Sequence, residues 1–458
     1  MRSEDVAKPS ALIAAMAEPW PMIDALVGGT NAMRKAGRAF LPQWPKEDSD
    51  SYQARLATAV LFPAFSRTAA VLAAKPFSQP MALGPLPARI EALLDDIDNQ
   101  GTGLHAFAAD AMLACLHYGL FGVLVDHTPV TGARTKAEER ALGARPYFSA
   151  YPAAAILGWR HENGELTQLR LAETVTEAEG RFGEKSLRQV RVLTPDRWTI
   201  WRPVEGEAGA GNWRVHDSGP LTLGRVPFVF FYGLRRGFGI GASPLIDLAY
   251  LNIEHWQSSS DQQTLLHTAR VPILFGTGFS AEDEITVGAA SAVMAGSDKA
   301  NLRYVEHTGA AIEAGRQSIL DLEDRMRQTG AELLVQKPAM ATATQTVAEG
   351  EGSRSILQRI ALGFDRSLAA CLALLGDWLG EKIEPEVSLF KDFGAGAQSD
   401  RATDLLLRAA AAGHVSPETV FNQLRRHAIV GPDLSWDDEK LRLAKGGPAN
   451  PLKPEGPS

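Results

Sequence analysis

Apolar residues recur every three or four positions over most of this chain, which is the signature of amphipathic helices; strict alternation takes over only in its second quarter. Residues 1–50 read as a loosely packed arm with one short helix at 11–18, followed by Gly28-Gly29 and several prolines. Helical spacing covers 51–72, then 87–97 and 104–118 beyond the proline-rich connector KPFSQPMALGPLP. Short strands are expected at 121–127, 146–152, 155–160, 166–173, 187–193, 198–203 and 226–232, separated by Gly-, Glu- and Asn-bearing loops. That spacing predicts a largely antiparallel meander. Farther on, a long helix is expected to run to about 380 through Ile356, Ile360, Phe364, Leu368, Cys371, Leu375 and Leu379. A strand at 386–393 and two short helices at 401–413 and 416–428 follow, with Ser416 as N-cap and Pro417 at N1. The fold class is therefore α+β.

The most pronounced pattern spans residues 244–335: a helix, a short β-rich insert and a returning helix. The first arm places Leu245, Leu248, Ala249, Ile253 and Trp256 on one stripe, then turns polar at Ser258 to Gln263; the second places Ile319, Leu322, Met326 and Leu333 on another. A helix of ~25 residues is about 37 Å long. Two such arms with narrow stripes are expected to need identical neighbours to cover them, as in a ring or bundle of many copies.

Charge sharpens this picture. The net formal charge is −8, and residues 244–335 hold 13 acidic against 6 basic side chains, so nearly the whole excess lies in the two arms and their insert. A protein that grips DNA by its phosphates shows the opposite sign, whereas a surface that only faces DNA is free to be acidic. Two cysteines, Cys115 and Cys371, lie in apolar helical stretches and read as small core residues in a reducing compartment. The N-terminus lacks the organisation of a signal peptide, and no apolar run reaches membrane-spanning length, so a soluble, cytosolic chain is expected. The tail from 446 is disordered by composition.

Catalytic and cofactor motifs fail on inspection. Gly237, Gly239 and Gly241 follow a strand as a dinucleotide loop would, but the third glycine position is Pro244; the expectation is a hinge of Gly239, Gly241 and Pro244 that launches the first arm. Asp96 to Gly101 resembles the start of a calcium loop, yet position twelve is Phe107, so an inter-helix turn with Thr102 as the following cap is expected. The Gly180 to Ser186 run has the wrong spacing for a phosphate-binding loop, and no H-E-x-x-H, paired C-x-x-C or G-x-S-x-G occurs. His255, His267 and His307 are assigned to surface or inter-subunit hydrogen bonds, and Asp437 to Lys440 to a solvated charge run. No nucleophile, base and orienting group assemble, so no enzyme, cofactor or metal is expected. The helix pair around Gly413–Ser416, with Asn422, Arg425 and Arg426 on its second member, leaves one alternative: a cytosolic DNA-binding regulator.

Taken in order, SDSYQARLATAVLFPAFSRTAAVL (49–72), IDNQGTGLHAFAADAMLACLHYGLFGVLVDHT (97–128), RPYFSAYPAAAILGWR (145–160), the first arm through 278, TATQTVAEGEGSRSIL (342–357) and AAGHVSPETVFNQLRR (411–426) resemble the portal proteins of tailed double-stranded DNA bacteriophages. They are closest to a portal family often known only as a domain of unknown function. The resemblance implies a wing at 1–243 with a wing strand within 381–399, and stem helices at 244–270 and 312–335. It further implies a clip at 271–311, a tunnel loop at 336–352, a long helix at 353–380 and a reduced crown at 400–445 before the tail at 446–458. Gly350 and Gly352, each costing ~1 kcal/mol inside a helix, place the long helix's start near Ser353. On the same resemblance, Lys337, Thr342, Thr344, Gln345 and Thr346 would touch DNA from the tunnel loop. Leu248, Ile253, Trp256, Ile319, Leu322 and Met326 would pack stems between subunits. The implied assembly is a dodecameric ring at one capsid vertex of the virion, formed in the host cytoplasm. Its implied partners are terminase large subunit, head–tail adaptor, major capsid or scaffolding protein, and double-stranded DNA passing through without sequence preference; no membrane is involved.

Overall fold

The computed structural model describes residues 6–128, 143–204, 213–269, 273–277, 301–305, 310–334, 354–393, 407–426 and 434–444. It is a mixed helix and sheet chain that divides into two compact units. One comprises residues 14–69 and 244–332; the other comprises 1–13, 70–243 and 333–458.

The N-terminal fifty residues are not a loose arm. Helices α1 (Ala11–Ala17), α2 (Trp20–Val27) and α3 (Gly29–Ala36) succeed one another, and Trp20, Met22, Ile23, Leu26 and Met33 are buried. The glycines and prolines that suggested irregular chain serve as helix boundaries: Pro19 and Gly28 flank α2, and Gly37 ends α3 at a φ of +55°. The expected helix at 51–72 is two helices, α4 (Ser49–Thr58) and α5 (Ala64–Ala74), parted just before Pro63. Asp48 starts α4 by accepting the N–H groups of Asp50 and Ser51 at 3.0 and 2.9 Å.

Strand β1 (Ala82–Leu83), helix α6 (Ala88–Glu91) and helix α7 (Leu104–Tyr118) come next. The turn before α7 is closed by hydrogen bonds from its own backbone N–H groups. Asp96 accepts the Gly101 N–H, Asp98 accepts those of Gln100 and Thr102, and Gly103, not Thr102, occupies the cap. A three-stranded antiparallel sheet follows in the order β3 (Pro146–Pro152), β2 (Leu120–His127), β9 (Phe228–Tyr232). A five-stranded meander runs in sequence order through β4 (Ile156–Glu162), β5 (Glu165–Glu179), β6 (Gly183–Thr194), β7 (Arg197–Pro203) and β8 (Trp213–Pro220). Strands β5 and β6 extend well past their apolar halves as an exposed ribbon. Strand β8 and the hairpin β10 (Leu234–Gly237) with β11 (Ile240–Ala242) carry too few apolar residues to show in the pattern.

Helix α8 (Ile246–Ala269), the paired strands β12 (Ile273–Thr277) and β13 (Asn301–Val305), and helix α9 (Ala310–Ala331) form the arms. Helix α10 (Ile356–Leu379) opens with a capping box of Ser355 and Gln358 and closes at left-handed Gly380. It buries Leu357, Ile360, Phe364, Leu368 and Leu375 in the sheet unit, with the Phe364 ring 5.0 Å from that of Phe231. The strand expected over 386–393 shrinks to β14 (Val387–Ser388), because its partner β1 offers only two residues. Helices α11 (Pro417–Arg426) and α12 (Trp436–Ala444) are the last, and the Ser416 hydroxyl accepts the Thr419 N–H as the cap of α11. Both cysteines are free and buried, and burial pushes both thiols well up. Among the described residues no helix is long and apolar enough to cross a membrane.

Candidate functional site: the paired helical arms

Helices α8 and α9 run antiparallel: Glu254 pairs with Arg325 at 3.4 Å near one end, and Gln262 donates to the Ile312 carbonyl at 2.9 Å near the other. Between them, His255 faces Glu323 at 3.5 Å. Gly315 lies close to Gln262: a Cβ there would sit 2.1 Å from its amide oxygen, so a larger residue would make the Gln262 side chain move aside.

The N-terminal helices of the same unit cover the seam. Asn252 is fully buried and uses its side chain twice, accepting the Phe65 N–H at 2.9 Å and donating to the Phe62 carbonyl at 2.8 Å. It thereby satisfies the backbone left open where α4 and α5 part. Gln257 donates to the Phe40 carbonyl at 3.0 Å. Arg55 forks onto Glu47 at 2.8 and 2.9 Å with both side chains almost wholly buried, donates to the Pro42 carbonyl, and comes within 3.6 Å of Asp261 on the first arm. Hydrogen bonding to Arg55 lowers the Glu47 pKa, whereas burial raises that of Asp261 against the pull of Arg55. None of these partners is a sequence neighbour, and the spacing of apolar residues carries no sign of them.

This changes the expected role of the stripes. Leu248, Trp256, Leu322 and Met326 are buried within a single chain, so they are not available to seal one copy against the next. Ile253 and Ile319 are half-buried. The apolar surface the arms leave open is instead Tyr250 and Leu320, 58% and 38% exposed. His255 is likewise not a surface histidine: it is buried among Phe62, Ser259 and Glu323, and burial, partly offset by Glu323, lowers its pKa. His307 lies outside the described residues, as do Lys337, Thr342, Thr344, Gln345 and Thr346. Arginines 316, 325 and 327 neutralise part of the acidic run through Glu313, Glu254, Glu323 and Asp324.

Gly239 and Gly241 sit on the β10–β11 hairpin, in the sheet unit. Gly239 has a φ of +70°, and a Cβ on it would meet the Trp159 indole at 2.4 Å; one on Gly241 would meet the Gly119 carbonyl oxygen at 2.0 Å. Pro244 follows, two residues before α8. Among the described residues no group of three or more His, Cys, Asp or Glu could hold a metal.

Residues 244–379, from the first arm through α10, match the family described as Domain of unknown function (DUF4055). No curated protein matches the chain. Among solved structures it is similar to a chain from "Neck of empty GTA particle computed with C6 symmetry", at 14% identity and a TM-score of 0.43, covering 82% of this chain and 93% of that one. It is also similar to one from "Virion of native gene transfer agent (GTA) particle", at 14% identity and a TM-score of 0.42, covering 86% and 97%.

Proposed function

We propose that this chain is the portal subunit of a tailed-phage-like particle. Twelve copies would form a ring at one capsid vertex that conducts double-stranded DNA during packaging and ejection, and that seats terminase large subunit and a head–tail adaptor. The observation that carries the proposal is the antiparallel pair α8 and α9, joined by a β-hairpin and concentrated in negative charge. A wall of such pairs repels the DNA backbone and keeps it mobile. The sequence resemblance quoted above supplies the stem, clip and tunnel-loop roles, and the chain holds no catalytic motif that would compete with a structural one.

In this assembly the apolar stripes are used within each chain, and neighbours meet through what remains outside, Tyr250 and Leu320 with the edges of Ile253 and Ile319. Mass photometry tests the proposal: twelve copies of a 49.3-kDa chain make a particle of about 590 kDa. A species no larger than a dimer at micromolar concentration would overturn it.

A further inference from the structure

In the sheet unit, a cleft of about 610 Å³ opens between the β10–β11 hairpin and the first half of α10. Its wall contains Arg235 and Arg236 from the hairpin, and Arg354, Arg359 and Arg366 from the start and one face of the helix, and among the described residues no carboxylate. All five arginines are exposed. Among the described residues none pairs with an acidic side chain, and Arg235 lies over the Tyr232 ring, 5.3 Å from its centroid. In a chain with a net charge of −8, this is a local inversion of sign. Five guanidinium groups sharing one concavity repel each other, and an anion with several separated charges relieves that repulsion.

We infer that this cleft binds the phosphodiester backbone of double-stranded DNA without sequence preference. Arg359 and Arg366 are seven residues apart on α10, which sets them about 10 Å apart along the helix axis; one phosphate cannot span that distance and a strand backbone can. Guanidinium forks suit phosphate oxygens. A second copy's acidic arm is the weaker fit, because the arm carboxylates Glu254, Glu313, Glu323 and Asp324 already pair with arginines of their own chain. The choice of DNA among polyanions rests on the proposed conduit; the cleft itself does not. It gives that conduit a place to hold DNA, apart from acidic arms that let it slide.

The test is fluorescence anisotropy of the full-length chain with a short fluorescein-labelled duplex of arbitrary sequence, titrated at salt concentrations from about 50 to 200 mM. Arg359→Gln with Arg366→Gln is expected to weaken binding at least about tenfold and to reduce the slope of log K against log salt by about two. Arg181→Gln, on the exposed β5–β6 turn and outside the cleft lining, serves as control and is expected to leave both unchanged. Far-UV circular dichroism confirms that each variant is folded. Equal affinity and slope for the double variant and the parent would overturn the inference. So would a double variant whose DNA binding is intact but whose oligomer falls apart, which would assign the cleft to a second copy. Particle mass, measured on the same samples, separates the two claims: rings with arginine-independent binding sink the cleft alone, whereas arginine-dependent binding by small particles sinks the conduit alone.

Discussion

On the paired arms charge lies along the margins of an apolar seam, whereas in the sheet unit one arginine draws two carboxylates together between strands. Around α8 and α9, Trp256, Leu248, Leu322 and Met326 fill the interior, and the ion pairs of Glu254, Glu313 and Asp324 are more than half exposed and so contribute little to stability. In the sheet unit, Arg191 of β6 reaches Asp126 of β2 at 2.6 Å and Glu173 of β5 at 2.7 Å. Tyr151 and Gln189 donate to the same Glu173 at 2.5 and 2.6 Å. Burial works against the Arg191 charge, but Tyr151, Glu173 and Asp126 around it raise its pKa, and burial lifts the Tyr151 hydroxyl far above its usual range. The network joins the three-stranded sheet to the meander. Each region is accordingly vulnerable in its own way: the arm seam to lost volume, the inter-strand network to a lost partner.

Substitutions can break that contrast. Trp256→Ala is expected to destabilise the helical unit by about 3–5 kcal/mol while leaving the sheet unit's unfolding unchanged, as read by hydrogen exchange of α8 and β2 amides. Equal loss of protection in both would show that the units are not independent. Arg191→Met should cost about 2–4 kcal/mol in the sheet unit, because it removes the one charge that Asp126 and Glu173 share; denaturant unfolding showing a neutral or stabilising effect would count against the network.

Acid should strike both units in the same direction. Burial holds the His117 pKa down at about 4 and also lowers that of His255. The folded state therefore favours the neutral rings, so their contribution is complete above the unfolded value near 6.5 and is lost as pH falls. For His117 the loss between pH 6.5 and 4 is about 3 kcal/mol, and a His117→Phe variant should flatten that part of the stability profile. An unchanged profile would remove His117 from the account. Smaller still, Asn252→Ala should cost about 1–2 kcal/mol by removing the two buried hydrogen bonds it makes to Phe65 and Phe62, measured as a shift in the denaturant midpoint of the helical unit.

Much of this architecture was legible in the residues. The period of the apolar positions located α8, α9 and α10 to within a few residues, because a one-sided stripe over more than twenty residues leaves few alternatives. The antiparallel meander followed from alternation bounded by turn residues. The N-terminal helices were hidden because Pro19, Gly28 and Gly37 look like loop punctuation when they are in fact helix ends. What covers the arms was hidden for a different reason: Asn252 meets Phe62 and Phe65 across nearly 190 positions, a distance no local pattern spans. The arginine cleft has no local signature either, since its members come from two segments separated by more than a hundred residues.

In the proposed assembly these arms, already packed within each chain, stand side by side around a channel. Negative-stain electron microscopy of the purified chain tests it most directly. Class averages showing a ring with a stain-filled centre, lost when Tyr250→Lys and Leu320→Lys are combined, are the predicted result; solid particles of one or two chains with no central hole would contradict it.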